Sequence, residues 1–263
     1  MRAWAVPLAL LLVAGCGEVR PVATVPRPLP VTVRASQVVE PAVLARKLAA
    51  MQPDWPRGPR VDCRRAKCVA LTFDDGPGDH TARLLDMLRR RGARATFFVV
   101  GQMVVADREH NLRHMLLDGH ELGNHSWSHE QLTALSPLGL KFQLKQTQAV
   151  VERMTGVRMY LMRPPYGSTD GRVADETRRE GLAQILWNVD TFDWRDRSAS
   201  LVAERAIKAG PGSIVLMHDI HRTTVDAMPR ILEVLSRRGF AFVTISELYG
   251  KHPPAPGRKY TER

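Results

Sequence analysis

The chain has 263 residues, 44% of them hydrophobic and 25% charged but only 6% aromatic. That balance suits one globular domain with appendages, and it excludes a disordered chain, a disulfide-framework miniprotein and a multi-span membrane protein. The formal charge of +11 points on its face to an anionic partner: nucleic acid, a membrane surface or an acidic polymer.

The N-terminus reads MRAWAVPLALLLVAGC, with one Arg ahead of an apolar run from Ala3 to Ala14 that is short for a membrane span. Residues 1–16 are expected to be an export signal. Val13-Ala14-Gly15-Cys16 resembles the lipobox of bacterial lipoproteins, which implies a lipidated Cys16 and anchorage to a bacterial membrane in the cell envelope. An ordinary signal with a chance Cys would instead give a secreted protein. Residues 17–60 are Pro-rich and basic (PVATVPRPLP, then QPDWPRGPR), the composition of an extended tether. Residues 61–250 are the expected folded domain, and 251–263 (KHPPAPGRKYTER) a basic Pro-rich tail of the same character as the tether. With Cys16 set aside, Cys63 and Cys68 form an even pair in an oxidising compartment. A disulfide closing CRRAKC is expected, because two cysteines cannot complete a structural zinc site.

Residues 17–68 carry ten Lys/Arg against four Asp/Glu and residues 251–263 four against one; with Arg2 set aside, 23 against 22 remain for 69–250. The folded part is therefore near neutral and has no basic stripe interleaved with aromatics. Nucleic acid is not an expected partner. The charge belongs to the tether and tail, which suits attraction to anionic lipids or envelope polymers, and a monomer is expected.

Within 69–250 a short apolar run, a turn, an amphipathic stretch and a Gly recur. The runs are Val69–Phe73, Ala95–Val100, Glu121–Asn124, Met159–Arg163, Gln184–Trp187, Ser213–Met217 and Phe240–Thr244. Gly92, Gly119, Gly156, Gly181, Gly210 and Gly239 precede successive runs, where helix ends need a left-handed residue. The amphipathic stretch 81–91, with Leu84, Leu85 and Leu88 on one face, ends in three arginines that oppose the helix dipole. Alternating strands and helices predict an α/β fold with a parallel sheet. Five runs end in polar chemistry, and a barrel gathers strand ends around one mouth, whereas an open sheet concentrates its site at one crevice. We expect a distorted, incomplete (β/α) barrel of about seven parallel strands.

Asp74 and Asp75 (TFDDGP) follow the first run, where two acids can divide metal binding and proton transfer, although Asp-Asp-Gly-Pro is equally turn chemistry. His125 and His129 (HSWSH) follow the third, a spacing that places two imidazoles on one face of a helical turn. With a carboxylate they make a two-His, one-carboxylate set for a divalent transition metal, Zn²⁺ by default with Co²⁺ or Ni²⁺ as alternatives. His110 and His114 share that spacing, but mid-helix and away from any strand end, so they are read as a solvated pair. Arg163-Pro164-Pro165-Tyr166-Gly167 makes a stiff loop in which the Tyr166 amide suits an oxyanion, or else a plain Pro-rich bend. Asp190-Thr191-Phe192-Asp193-Trp194 brings two acids and an aromatic wall, and Leu216-Met217-His218 a histidine at a strand end.

Together and in this order, TFDDGP, HSWSH, RPPYG, DTFDW and LMH resemble the five motifs of NodB-homology polysaccharide deacetylases, from about Cys68 to Tyr249. The resemblance implies a distorted (β/α) barrel and a metal-dependent hydrolase that removes N-acetyl groups from a peptidoglycan- or chitin-like polymer. It implies Asp75, His125 and His129 as metal ligands and Asp74 as base toward metal-activated water, with Arg163 holding that base. It makes His218 the acid for the leaving amine, Asp190 the residue orienting His218, and the Tyr166 amide an oxyanion donor. Trp194 and Leu216, with Pro164 and Tyr166, would border the substrate. Asp190 is set over Asp193 with both acids in one loop. The competing readings are an O-acetyl esterase on xylan-type polysaccharide and a non-catalytic wall-binding lipoprotein.

Overall fold

The structure is a computed structural model that describes residues 61–108 and 110–263. The signal, the lipidation site Cys16 and the tether lie outside the described residues. Among the described residues nine strands are formed: β1 (Lys67–Asp74), β2 (Thr96–Val99), β3 (Glu121–Asn124), β4 (Leu161–Met162), β5 (Ala183–Ile185), β6 (Val189–Asp190), β7 (Ile214–His218), β8 (Phe240–Phe242) and β9 (Lys259–Tyr260). Their order is β6-β7-β1-β2-β3-β4-β5-β9, with β8 beside the first residues of β1, and every pairing is parallel. The expected distorted, incomplete (β/α) barrel is what forms. The seven expected runs correspond to β1–β5, β7 and β8. β6 and β9 are two residues each and, unlike the equally short β4, lie in no longer apolar run that would mark them.

Helices α1 (Thr81–Arg90), α2 (Gly101–Ala106), α3 (Asn111–Leu117), α4 (Pro137–Thr155), α5 (Gly171–Arg179), α6 (Asp193–Asp196), α7 (Ala199–Ala206), α8 (Arg222–Arg237) and α9 (Ile245–Tyr249) connect and cover the strands. α4 shows how its ends are set: the Ser136 hydroxyl accepts the Gly139 amide, Pro137 opens the first turn, and Gly156 closes the helix at φ 71°. Gly210 was expected in such a conformation; Gly212 adopts it instead, at φ 85°.

β1 explains how the barrel makes room for chemistry. Val69, Leu71 and Phe73 face the helices, packing with Leu84, Leu85 and Leu88 of α1 and with Val225, Met228, Ile231, Leu232 and Leu235 of α8. Cys68 and Ala70 face the other way, into a second apolar cluster with Phe98, Ile185 and Ile214. Strand residues alternate in side, so Thr72 and Asp74 continue that inner row toward the mouth. The row thus turns from apolar to polar as it nears the C-terminal end of the strand. Both faces are buried, which is why β1 reads as a nearly continuous apolar run.

The Cys63–Cys68 disulfide is present, closing the turn that leads into β1. The tail departs from expectation. Residues 251–263 do not resemble a tether at their end: β9 pairs with β5, Ser213 bridges Glu262, and the Arg263 amide donates to Gly212 O at 3.1 Å. Tyr249 adds a hydroxyl bond to Glu262 O at 2.7 Å. Prolines 253, 254 and 256 precede this strand rather than interrupt it, so the backbone donors the pairing needs are intact.

Candidate active site

The polar strand ends meet at the mouth of the barrel. Asp75 leaves β1 with φ 72°, so the backbone of Asp75 itself, ahead of the Gly-Pro turn, swings its carboxylate to the same opening as Asp74. Asp75 Oδ1 lies 3.4 Å from His125 Nε2 and 3.2 Å from His129 Nε2. The two histidines converge through a loop, not through the helical turn their spacing suggested. Ser126 and His129 are both left-handed (φ 67° and 59°). The Ser126 hydroxyl accepts the His129 amide at 3.0 Å, and Asn124 Oδ1 accepts the Ser126 amide at 2.9 Å. Gln143 of α4 braces the same loop, accepting the Trp127 and Ser128 amides at 2.7 and 3.0 Å. His125 Nδ1 donates to Arg163 O at 2.7 Å, which leaves Nε2 with a lone pair facing Asp75 and His129.

These three residues fit a divalent transition metal. Asp75 Oδ1 is buried without a hydrogen-bond partner, and its ligand atom and those of both histidines lie within 4.8 Å of one another. One carboxylate oxygen and two imidazole nitrogens are the donor set such an ion takes, and they leave positions open for substrate and water.

Beside this triad stands Asp74, 2% exposed. Arg163 Nη1 donates to its Oδ1 at 2.8 Å and to the Thr72 hydroxyl at 2.8 Å, while Nε and Nη2 donate to Ile185 O and Leu186 O, each at 2.9 Å. The guanidinium is wholly buried and lies 4.3 Å over the Phe98 ring. Burial pulls its pKa below the ordinary arginine value and Asp74 opposes that pull; the group stays cationic. Arg163 is thus the polar plug of the inner row begun by Thr72.

His218 ends β7, in register with Asp74 on β1. Its Nδ1 donates to Asp193 Oδ1 at 2.8 Å, and its amide and the Thr224 hydroxyl donate to Asp193 Oδ2 at 2.7 and 2.6 Å. The orienting place expected for Asp190 therefore belongs to Asp193. Phe192, at φ 52°, turns the chain so that α6 begins with Asp193 buried beneath His218. Asp190 caps that turn instead, accepting the Phe192 amide at 2.7 Å. Burial alone would lower His218; the hydrogen bond and charge of Asp193, then the charges of Asp74 and Asp75, push it up to about 9. Asp193 is held below the ordinary carboxylate range, its burial outweighed by His218 and Thr224.

A family model described as polysaccharide deacetylase matches residues 62–185. The peptidoglycan-N-acetylglucosamine deacetylase PgdA of Listeria monocytogenes is 44% identical over 187 residues, which cover 70% of this chain and 39% of that protein. The peptidoglycan-N-acetylmuramic acid deacetylase PdaC of Bacillus subtilis is 39% identical over 220 residues, 81% of this chain and 46% of that protein. The chain thus spans less than half the length of either relative. A solved structure of a family 4 acetyl xylan esterase from Clostridium thermocellum, in complex with a cobalt ion, superposes with a TM-score of 0.69 at 34% identity, covering 74% of this chain and 98% of that one. The chain belongs to the polysaccharide deacetylase family.

The remaining residues expected at the site differ in exposure. Tyr166 is left-handed (φ 61°) and 69% exposed, its ring 4.7 Å from that of His129. The turn it sits in is closed by the Gly167 and Ser168 amides, donating to Pro164 O and Pro165 O at 2.9 and 3.1 Å, so the Tyr166 amide is not one of its donors. Trp194 is 47% exposed beside Phe192. Leu216 and Pro164 are buried, and Leu216 O accepts the Thr191 hydroxyl at 2.8 Å. Thr72, Gln143 and Thr224, which bond to Arg163, the Trp127–Ser128 loop and Asp193, carry no motif in the sequence; their roles depend on partners distant in the chain. Asp193 carried a signal, as an acid within DTFDW, but its side chain direction depends on the left-handed Phe192.

Proposed function

We propose that this protein is a metal-dependent hydrolase that removes N-acetyl groups from an amino-sugar polymer of peptidoglycan or chitin type. The observation that carries the reading is an Arg163-held Asp74 and an Asp193-held His218, register partners on neighbouring strands, next to the Asp75, His125 and His129 set. When bound there, a divalent cation, Zn²⁺ in this reading, supplies Lewis acidity and lowers the pKa of water. Asp74 takes a proton from the attacking water, and Arg163 holds that carboxylate in place. The Tyr166 amide donates to the oxygen that gains charge as the acyl carbon becomes tetrahedral. His218, protonated at neutral pH, delivers a proton to the leaving amine, and Asp193 holds its ring and stabilises its charge. Amines leave poorly without such an acid, so a base paired with a separate acid suits an amide better than an ester. Trp194 and Leu216, with Pro164 and Tyr166, border the acetyl group and the sugar.

The second reading, O-acetyl ester hydrolysis on xylan-type polysaccharide, draws support from the likeness to the acetyl xylan esterase. The presence of His218 and of all three metal-binding residues speaks against a purely wall-binding protein. The export signal, Cys16 lipidation and the basic tether suit an enzyme held in the cell envelope; among the described residues no helix is long and apolar enough to cross a membrane. The deciding experiment is acetate release from peptidoglycan, chitooligosaccharides and acetylxylan, with chelator treatment and metal add-back. Metal-restored release from the first two supports the proposal. Release from acetylxylan alone selects the esterase, and release from none by Zn²⁺-loaded protein overturns both.

A further inference from the structure

One carboxyl at the barrel mouth takes no part in the steps above. Asp219 follows His218 and is wholly buried. Its Oδ2 accepts the Thr81 hydroxyl, and that hydroxyl accepts the Gly78 amide at 2.8 Å. Its Oδ1 has no hydrogen-bond partner. A buried carboxyl left half satisfied costs stability, so its position calls for an explanation other than packing.

The neighbours supply one. A Cβ at Gly76 would fall on the Asp219 carboxylate, and a Cβ at Gly78 would lie 2.9 Å from Ile220 Cγ2. Only a glycine lets the chain pass this close at residue 76. On its other side the turn is fixed by Gly76 O, which accepts the Val100 amide at 3.1 Å. The turn starts one residue after Asp75, which must hold a left-handed backbone to aim its carboxylate at the two histidines. A non-glycine residue in that conformation persists only when its surroundings enforce it. Because Asp74 and His218 are partners in the β1–β7 register, Asp75 and Asp219 are the next residues out along neighbouring strands.

We propose that Asp219 is a positioning residue: through Thr81 and Gly76 it clamps the turn that aims Asp75 and ties that turn to the strand carrying His218. The proposal rests on Asp75 being a metal ligand, as in the function proposed above. It makes the carboxyl an outer support of the metal site, reached through the backbone rather than through a direct bond to a ligand. Burial pushes the Asp219 carboxyl up to about 7 against the pull of the Thr81 hydroxyl, so the neutral form that asparagine resembles is accessible near neutrality.

The test is Zn²⁺ affinity by competition with a chromophoric chelator, with thermal melting and acetate release measured in parallel, on the full chain and on Asp219→Ala, Asp219→Asn and Thr81→Val. Loss of the clamp is expected to weaken Zn²⁺ binding about 10–100-fold in Asp219→Ala and Thr81→Val, as loss of outer support does at metal sites. Turnover should fall with KM changed less than about twofold, since the substrate rim is untouched. Asp219→Asn should recover most of the affinity, because its amide oxygen still accepts the Thr81 hydroxyl. Zn²⁺ affinity equal to that of the unmodified protein in Asp219→Ala overturns the proposal, and so does an asparagine variant as weak as the alanine one. If Asp219→Ala does not fold, Thr81→Val carries the same decision. Because the titration reads the metal alone, a protein that binds Zn²⁺ but deacetylates nothing would sink the proposed function and leave this test standing.

Discussion

Two histidine pairs in this chain have the same four-residue spacing and different fates. His110 and His114 are exposed, His110 just ahead of α3 and His114 within it, so the first of them precedes the helix expected to carry both. His125 and His129 converge on Asp75, and the structure brings them there through two left-handed residues and the brace from Gln143. The difference teaches that spacing selects candidates while backbone conformation decides which side chains converge. Asp75, Ser126, His129, Tyr166 and Phe192 are non-glycine residues at positive φ, and all five lie in the loops around the site. Such conformations persist where the surroundings enforce them, and here they redirect side chains that regular strands would point apart.

Removing a member of the converging pair should have the largest effect. His125→Ala and His129→Ala are expected to abolish stoichiometric Zn²⁺ binding and metal-dependent acetate release together, measured by metal analysis after dialysis. Asp74→Asn should keep the metal yet lose about 10²- to 10⁴-fold in kcat, the usual worth of a general base. Metal-loaded Asp74→Asn with undiminished turnover would refute the assignment.

The two acids of DTFDW sharpen the contrast on the acid side. In the proposed mechanism His218 works protonated, so activity should fall as pH rises through its pKa of about 9. Asp193→Asn removes the largest opposing influence to burial, and the alkaline limb of kcat/KM should move to lower pH by more than about one unit. Asp190→Asn should move it less. The same coupling appears in stability: the folded-state pKa lies above the ordinary 6.5, so the His218–Asp193 pair stabilises fully below about pH 6.5 and loses that contribution as pH rises through about 9. The difference in melting temperature between the unmodified protein and Asp193→Asn should narrow across that window. The smallest effect belongs to the other histidine pair: His110→Ala and His114→Ala should keep Zn²⁺ binding and turnover within about twofold, as surface changes do.

Much of this was readable from residue order. The seven apolar runs and their glycines indicated a strand-helix alternation, because burial on both faces makes parallel strands continuous in hydrophobicity. Asp74, Asp75, His125, Arg163 and His218 were readable as candidates because each ends or closely follows a run, and strand ends gather at one mouth. What was not readable depended on single backbone dihedrals or on distant partners. Asp193 displaced Asp190 through the turn at Phe192, and no periodicity encodes a left-handed residue that is not glycine. The C-terminal segment looked like tether because it opens with clustered prolines and is basic, yet its last residues pair with β5 and Ser213.

The charge of +11 divides in the same way. Sequence alone located its excess outside residues 69–250, since counting charges needs no coordinates. Only the fold decided that Lys259 and Arg263 belong to a segment bonded onto the barrel, because hydrogen bonding between residues far apart in the chain is invisible to composition. The identity of the groups that meet at the mouth was set by the sequence; their aim, and the buried Asp219 behind them, was set by tertiary contacts that override local preference.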